Sequence, residues 1–189
     1  MKINSNTLSY TGIVDLKIID TKTKKVKKSI ITHNDGTPAL FYFLCNCLAK
    51  NYDRIYAPSA IDASDTPYDS NGTLTSILAY RVLLSKPSVH SDVTYKYDGE
   101  TQITFDYCTR FSAIIPNTAM RSNVIKNLQL HSSIAGVDSV GSLIAWVNIG
   151  GDEGITVNTG ESLLVEWNMG FKDPTSTTAP SESNSQANT

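Results

Sequence analysis

Two cysteines separated by a single residue, Cys45 and Cys47, raise the possibility of a zinc site. Within a helix, two residues rotate the side chain by about 200°, so the two sulfur atoms would point to opposite sides. One zinc ion could take both thiolates only if the helix were broken, and the third cysteine, Cys108, falls in a strand pattern. We therefore predict no metal site, and expect the cysteines to pack as small apolar side chains.

The three histidines are the side chains best suited to acid–base catalysis near neutral pH, but the sequence shows no partners for them. His33, His90 and His131 lie far apart, and no serine stands in the GxSxG pattern of a nucleophile elbow. The glycine patterns that bind nucleotide phosphates are also missing. We expect surface or hydrogen-bonded histidines, and predict no catalytic residue, no cofactor and no enzymatic activity.

Three aspartates in the polar segment 54–75, Asp62, Asp65 and Asp69, offer the oxygen ligands that calcium prefers. Their spacing of three and four residues does not match an EF-hand loop, and no glutamate follows at the required place. Aspartate is also a common turn former. The segment is therefore predicted to be a solvated loop, with a calcium site as the alternative.

A run of lysines, "KTKKVKK", holds five of the sixteen basic residues of the chain. They are Lys22, Lys24, Lys25, Lys27 and Lys28. Lysines on an edge hairpin discourage edge-to-edge aggregation, so a solvated hairpin is the simplest interpretation. The alternatives are contact with DNA, which would be salt-sensitive and sequence-blind, or contact with an acidic neighbouring subunit. We treat these lysines as candidate interface residues.

The elements that would position these side chains are mostly strands, because apolar residues recur with a period of two. In "ESLLVEWNMGF" one face carries large apolar side chains and the other carries Glu166 and Asn168. "TGIVDLKII" and "QITFDYC" alternate in the same way, and "SLIAWVNI" is apolar on both faces. Short strands with turn-rich connections predict a mainly β fold, an antiparallel, jelly-roll-like β-sandwich.

One segment has helical spacing instead. Thr37 can cap a helix whose first residue is Pro38, and apolar side chains then follow the spacing of a helix face to Lys50. About 12 residues at ~1.5 Å each span roughly 18 Å, which is too short to cross a bilayer. We predict a short buried helix over residues 37–50.

The chain length of 189 residues and the amino-acid composition indicate one ordinary globular domain. The formal net charge of −2 gives no overall attraction to nucleic acid or to an anionic membrane. An odd number of cysteines and no signal-peptide pattern predict synthesis in a reducing cytosol. We divide the chain into an N-terminal arm (1–10), a β-sandwich domain (11–172) and an extended C-terminal tail (173–189).

The tail, "DPTSTTAPSESNSQANT", contains no large apolar side chain and cannot contribute to a core. An extended tail can dock across a neighbouring subunit, often by adding a strand to its edge. Pro174, Thr175 and Pro180 are therefore further candidate interface residues.

The order of these pieces resembles that of a known class of proteins. "ITHNDGT" leads into the apolar "PALFYFLCNCLA", then "LTSILAYRVLLS", "QITFDYCTRF" and "GSLIAWVNI" follow, and the domain closes on "ITVNTGESLLVEWNMGF". Over residues 11–172 this order resembles small virion structural proteins of tailed bacteriophages, most of all those of crAss-like phages. The resemblance is a pattern of apolar positions, without a motif of invariant chemistry.

The resemblance implies a non-enzymatic structural subunit of a phage virion, made in the host bacterial cytoplasm. Such a subunit would form a homo-oligomeric ring or collar in the neck or tail, or a fibre base, and contact other virion proteins without a cofactor or a membrane. The alternative is a fibre-associated module that binds a receptor or glycan. In that case Tyr52, Tyr56 and Tyr68 would supply the aromatic faces that sugars prefer.

Overall fold

The computed structural model describes residues 9–36, 58–67, 78–97, 101–120, 122–133 and 140–172. Within these ranges the chain is mainly β, with one 3-10 turn at Asn117–Ala119. In chain order the strands are β1 (Ser9–Asp20), β2 (Val26–His33), β3 (Asp35–Gly36), β4 (Pro58–Ser64), β5 (Leu78–Leu83), β6 (Ser88–Tyr97), β7 (Thr101–Pro116), β8 (Val124–Ile125), β9 (Asn127–Ser133), β10 (Val140–Asn148), β11 (Ile155–Thr156) and β12 (Glu161–Lys172).

The strands form two five-stranded sheets and a short ribbon. Sheet A has the order β2-β1-β12-β7-β6, sheet B has the order β3-β10-β9-β4-β5, and β11 pairs with β8. Every strand pair in the described ranges is antiparallel. The predicted mainly β, antiparallel architecture is confirmed.

Strand β12 lies at the centre of sheet A and shows why the alternation of the sequence matters. It pairs with β1 from Ser9↔Lys172 to Asp20↔Glu161, and with β7 on its other side. Leu163, Val165, the fully buried Trp167 and Met169 point into the core, whereas Glu166 and Asn168 point to the opposite face. This is the arrangement that the period-two pattern predicts.

Both sheets contribute to one hydrophobic cluster. Sheet A supplies Leu16, Phe111 and Trp167, and sheet B supplies Ile61 and Leu130, among other buried residues. A second, smaller cluster joins Ile13, Tyr95, Ile103, Phe105 and Cys108. In it the rings of Tyr95 and Phe105 meet edge to face, with centroids 6.2 Å apart.

Sheet B departs from regular pairing at several points. The register shifts between Pro58 and Ala60, and again between Val140 and Leu143 along β10. Irregularities of this kind bend a strand and increase its twist. They are consistent with the curled, half-barrel sheet that the fold contains.

Strand β4 corrects one prediction. The sequence suggested a solvated loop over 54–75, but Pro58–Ser64 is a strand held between β5 and β9. The prediction was wrong because Ala60, Ile61 and Ala63 are buried together with Asp62, so a charged residue stands at a buried position. In a reading of the local sequence pattern, a charged residue such as Asp62 indicates solvent exposure.

Several other predicted features fall outside the described residues. These are the helix over 37–50, residues 1–8 of the N-terminal arm and the tail 173–189. The last two residues of the predicted arm, Ser9 and Tyr10, begin β1. Within the described ranges, no helix has the length and apolar character needed to cross a membrane.

The core shared by the two sheets predicts that alanine substitutions at two leucines will differ greatly in their effect on stability. Leu130 is fully buried in the cluster that both sheets build, whereas Leu83 at the end of β5 is 64% exposed. We expect Leu130→Ala to lower the free energy of unfolding by about 2–5 kcal/mol, because it removes buried methyl groups and leaves a cavity. The control, Leu83→Ala, should change it by about 0.5 kcal/mol or less. Equal losses in chemical denaturation would contradict the described packing.

Candidate functional site

The β1–β2 hairpin, residues 20–28, presents the lysine run on a well-defined turn. One carboxylate oxygen of Asp20 accepts hydrogen bonds from the backbone N–H of Lys22 at 3.0 Å and of Thr23 at 2.8 Å. It also accepts one from the Thr23 hydroxyl at 3.0 Å. The Thr23 bonds, the backbone one first, lower the pKa of Asp20. Lys24 takes a left-handed backbone conformation with φ 59°, which closes the turn.

The five lysines of the run do not share one environment. Lys27 Nζ lies 2.8 Å from Glu161 Oε1 and 3.7 Å from Asp20 Oδ2, so it ties the hairpin to the start of β12. Lys22, Lys24, Lys25 and Lys28 are exposed, and none of them has an ion-pair partner among the described residues. Four of the five predicted interface lysines therefore face solvent, and the fifth supports the fold.

The other predicted interface residues belong to the C-terminal tail. Pro174, Thr175 and Pro180 lie outside the described residues. The last described residue, Lys172, ends β12 opposite Ser9, at the other end of β1 from the lysine run. Their role as interface residues remains a prediction.

Sheet B carries a buried charged pair that sequence reasoning missed. Arg81 on β5 donates from Nε to Asp62 Oδ1 and from a terminal nitrogen to Asp62 Oδ2, both at 2.6 Å. Asp62 is only 3% exposed, so this two-pronged ion pair neutralises a charge that solvent cannot reach. Because Arg81 occupies both oxygens, this structure gives no support to a calcium site at Asp62.

A ladder of polar side chains continues from this pair along β9. Asn127 donates from Nδ2 to the Val147 carbonyl at 2.9 Å, which makes its Oδ1 the acceptor for Gln129 Nε2 at 2.8 Å. The Oε1 of Gln129 then faces His131 Nε2 at 3.0 Å. Because a carbonyl can only accept, the chain of bonds places a proton on His131 Nε2.

This arrangement has the components of a histidine–carboxylate pair but not its catalytic geometry. His131 Nε2 lies 3.5 Å from Asp62 Oδ2, yet it already donates to Gln129, and Asp62 is engaged by Arg81. In a catalytic dyad, a carboxylate oxygen accepts directly from the ring to orient it as a base. Here the groups satisfy one another and support a structural role.

A second polar network lies on sheet A, on the side of β12 that carries Glu166. Arg110 on β7 donates to Glu166 at 3.2 Å, to Asn168 at 2.9 Å and to the Tyr95 hydroxyl at 3.0 Å. Lys17 on β1 contacts the same Glu166 and lies 2.9 Å from Asp15. Partial burial lowers the pKa of Lys17, but its bonds to Glu166 and Asp15 raise the pKa by more, so Lys17 remains charged.

The remaining residues with possible chemistry fit structural roles. His90 Nε2 lies 2.7 Å from Ser88 Oγ, so the expectation of hydrogen-bonded histidines is confirmed for His90 and His131. Cys108 is buried, as expected, and burial raises the pKa of its thiol, which disfavours the reactive thiolate. Cys45 and Cys47 lie outside the described residues. Within those residues, no group of three or more possible ligands is placed to hold a metal ion.

Comparison with protein-family models, with curated proteins and with solved structures finds no match for this chain.

The Asp62–Arg81 pair predicts that removing one partner will destabilise the protein more than replacing both. We expect Arg81→Met to lower the free energy of unfolding by about 3–5 kcal/mol, because it leaves the Asp62 carboxylate buried without its partner. The double variant Asp62→Asn/Arg81→Met should recover most of that loss. Lys86→Met, at an exposed position on the segment after β5, is the control. A double variant as unstable as the single variant in denaturant titrations would contradict the pairing.

The hairpin predicts a pH dependence that can be traced to Glu161. The hydrogen bond that its carboxylate accepts from Lys27, followed by the one from the Asn158 backbone N–H, lowers the pKa of Glu161 in the folded protein. A lowered folded pKa contributes stability above the unfolded pKa, and that stability is lost as pH falls through the folded value. The stability advantage of wild type over Glu161→Gln should therefore shrink on acidification below the ordinary glutamate range. Exposed Glu153→Gln is the control, and an advantage independent of pH would count against the ion pair.

Proposed function

We propose that this chain is a non-enzymatic structural subunit of a bacteriophage virion, forming part of a neck or tail ring or collar. The observation that carries the proposal is the β1–β2 hairpin. It holds Lys22, Lys24 and Lys25 exposed on a turn pinned by Asp20, and Lys28 exposed on the outer strand β2. A rigid, charged projection without an internal counter-ion is suited to contact with another macromolecule.

The described polar clusters favour a scaffold over an enzyme. Asp62 is held by Arg81, Gln129 and Asn127 orient His131, and Glu166 is shared by Lys17 and Arg110. Networks satisfied in this way add rigidity and specify one arrangement of the strands. A subunit that must present the same surfaces in every copy of a ring needs such rigidity.

The sheet topology also suits assembly through edges. In the described sheets, β2 and β6 are the outer strands of sheet A, and β3 and β5 are those of sheet B. An outer strand can accept an added strand or a neighbouring edge. Ring contacts are heterologous, because one patch on a subunit meets a different patch on the next.

We extend the proposal to the finer architecture and to the tail. The cluster shared by sheets A and B supports a jelly-roll-like sandwich. The tail 173–189, with Pro174, Thr175 and Pro180, would then lie across a neighbouring subunit. Ordering a chain segment requires about 1–2 kcal/mol per residue, so such docking needs a sizeable partner surface. The resemblance of residues 11–172 to small phage virion proteins agrees with these features.

The proposal predicts the outcome of removing the protein from a phage that encodes it. An amber mutation in its gene should yield heads and tails that fail to join or to complete the neck or tail, because a ring component is missing. Electron microscopy of particles from non-suppressor cells would show the defect, and a wild-type copy supplied in trans should repair it. Complete particles that only fail to adsorb to cells would point to a receptor-binding module. Complete and infectious particles would contradict both assignments.

A further inference from the structure

A second turn of the chain exposes charges of the opposite sign to the lysines. Asp152 and Glu153 stand in the turn of residues 150–154, between β10 and β11, and both are exposed. Neither has an ion-pair partner among the described residues, and the turn itself contains no cation. These two carboxylates, like the lysines of the β1–β2 turn, are therefore available to a partner.

The acidic turn has a defined conformation. The backbone N–H of Gly154 donates to the Gly150 carbonyl at 3.1 Å, which closes the turn. Gly150 takes a left-handed conformation with φ 70°, and a Cβ atom there would lie 2.4 Å from the Gly154 backbone. The closed turn holds Asp152 and Glu153 near its tip.

A third exposed carboxylate, Asp65, lies at the same end of sheet B. The Ser64 carbonyl accepts from the Lys126 N–H at 2.8 Å, and the Lys126 carbonyl accepts from the Ile149 N–H at 2.9 Å. Asp65 and the turn 150–154 therefore stand on either side of Lys126. Three exposed carboxylates against one half-buried lysine leave this end of the sheet acidic. We call the three carboxylates, Asp65, Asp152 and Glu153, the acidic rim.

The topology places the lysines at the same end of the molecule, but on the other sheet. Strand β1 ends at Asp20, opposite Glu161 at the start of β12, and Thr21 N–H donates to the Gly160 carbonyl at 2.9 Å. Only residues 155–160 connect the acidic turn to β12, and six residues span at most about 22 Å. One end of the molecule thus carries positive charge beside sheet A and negative charge beside sheet B.

Such a face is complementary to itself. When two copies meet through this face about a two-fold axis, the positive side of each copy lies opposite the negative side of the other. A two-fold contact of this kind uses the same patch on both subunits, so every favourable contact occurs twice.

We propose that the lysine turn, formed by Lys22, Lys24 and Lys25, docks on the acidic rim of a second copy of this chain, and that the second copy docks in the same way on the first. This two-fold contact goes beyond the proposed ring contact, because it is closed after two copies and uses strand ends instead of outer strands. Repeated around a ring, it would join two rings through their matching faces.

A second copy fits this face better than nucleic acid does. A polyanion bound to the lysine turn would meet the acidic rim on the same face, and residues 20–28 contain no aromatic side chain on which bases could stack. A uniformly acidic protein would be repelled by the rim in the same way. The rotated copy supplies both signs of charge where they are needed.

The contact should be weak and sensitive to salt. Exposed ion pairs contribute little individually and are screened by dissolved ions. The charges therefore set the orientation of the two copies, and association should weaken as the salt concentration rises. Copies held close together in an assembly would pair more completely than free copies, because their effective concentration is higher.

The test uses three full-length variants. The first, Lys24→Glu/Lys25→Glu, reverses the lysine turn and spares Lys27, which pairs with Glu161. The second, Asp152→Lys/Glu153→Lys, reverses the acidic turn. The third combines all four substitutions and keeps the net charge of −2 that wild type has.

The control is Lys96→Glu, because exposed Lys96 pairs with Gln102 near the start of β7, at the other end of sheet A. Circular dichroism and denaturant unfolding establish that every variant folds. Sedimentation velocity over a range of protein concentrations, at low and high salt, then measures self-association.

We expect wild type and the control to form dimers at low salt and to dissociate as salt is added. Each two-site variant should associate at least about tenfold more weakly, because like charges then face each other. The four-site variant should associate as wild type does, since both partners of each contact are exchanged. Net charge does not explain that recovery, because it is unchanged.

Three results would overturn the inference: a wild-type monomer at every salt concentration, two-site variants that dimerise as wild type does, or a four-site variant that stays monomeric. A lysine-turn variant that dimerises normally but loses the retention of wild type on duplex DNA would identify nucleic acid as the partner, and would also overturn it. These outcomes are read from purified protein, whereas the amber mutation reads particle assembly, so failure of the pairing and failure of the proposed function are distinguishable.

Discussion

The register of β12 is the constraint on which the rest of the structure depends. This strand pairs with β1 along its full length and with β7 along nearly all of it, so its alternation is imposed on both neighbours. A slip of one residue would turn Trp167 towards the opposite face and bring Glu166 and Asn168 into the core. The apolar cluster and the charged network on sheet A are therefore two consequences of one pairing.

The strand pairing also determines which charged side chains are available to a binding partner. Glu166 is shared by Arg110 and Lys17, and on sheet B the Asp62–Arg81 pair and the ladder ending at His131 are similarly closed. Charges that are paired inside the protein are not available to a partner. The lysines of the β1–β2 turn differ because the turn projects beyond Asp20, where β12 begins and no neighbouring strand continues. This contrast is the basis of the proposed role in assembly.

The sequence predicted the parts of the fold that depend on local alternation. The strands around "TGIVDLKII", "QITFDYC" and "ESLLVEWNMGF" follow from periodicity, and the lysine hairpin follows from the turn between the first two strands. Strand β4 was missed because it contains Asp62, whose partner Arg81 stands on another strand. A pattern confined to a few residues cannot show that a distant cation will neutralise a buried carboxylate.

In the candidate site too, the sequence showed the features that depend on neighbouring residues, but not the contacts between distant ones. Composition alone identified the lysine run, but the pairing of Lys27 with Glu161 joins residues 134 positions apart. The ladder of Asn127, Gln129 and His131 left a signal in the sequence, since polar residues alternate there with the buried Leu128 and Leu130. The ladder is anchored by the bond from Asn127 to the Val147 carbonyl on β10, and its other end lies beside Asp62 on β4, so its role could be seen only in the tertiary structure.

The most direct test of a structural role is symmetry-averaged imaging of an intact phage particle that encodes this chain. The account predicts several copies in a closed ring at the neck or tail. In that ring the lysine hairpin, residues 20–28, of each copy should lie in a contact with a neighbouring subunit. A particle that lacks the chain, or that holds it as isolated single copies, would contradict the account.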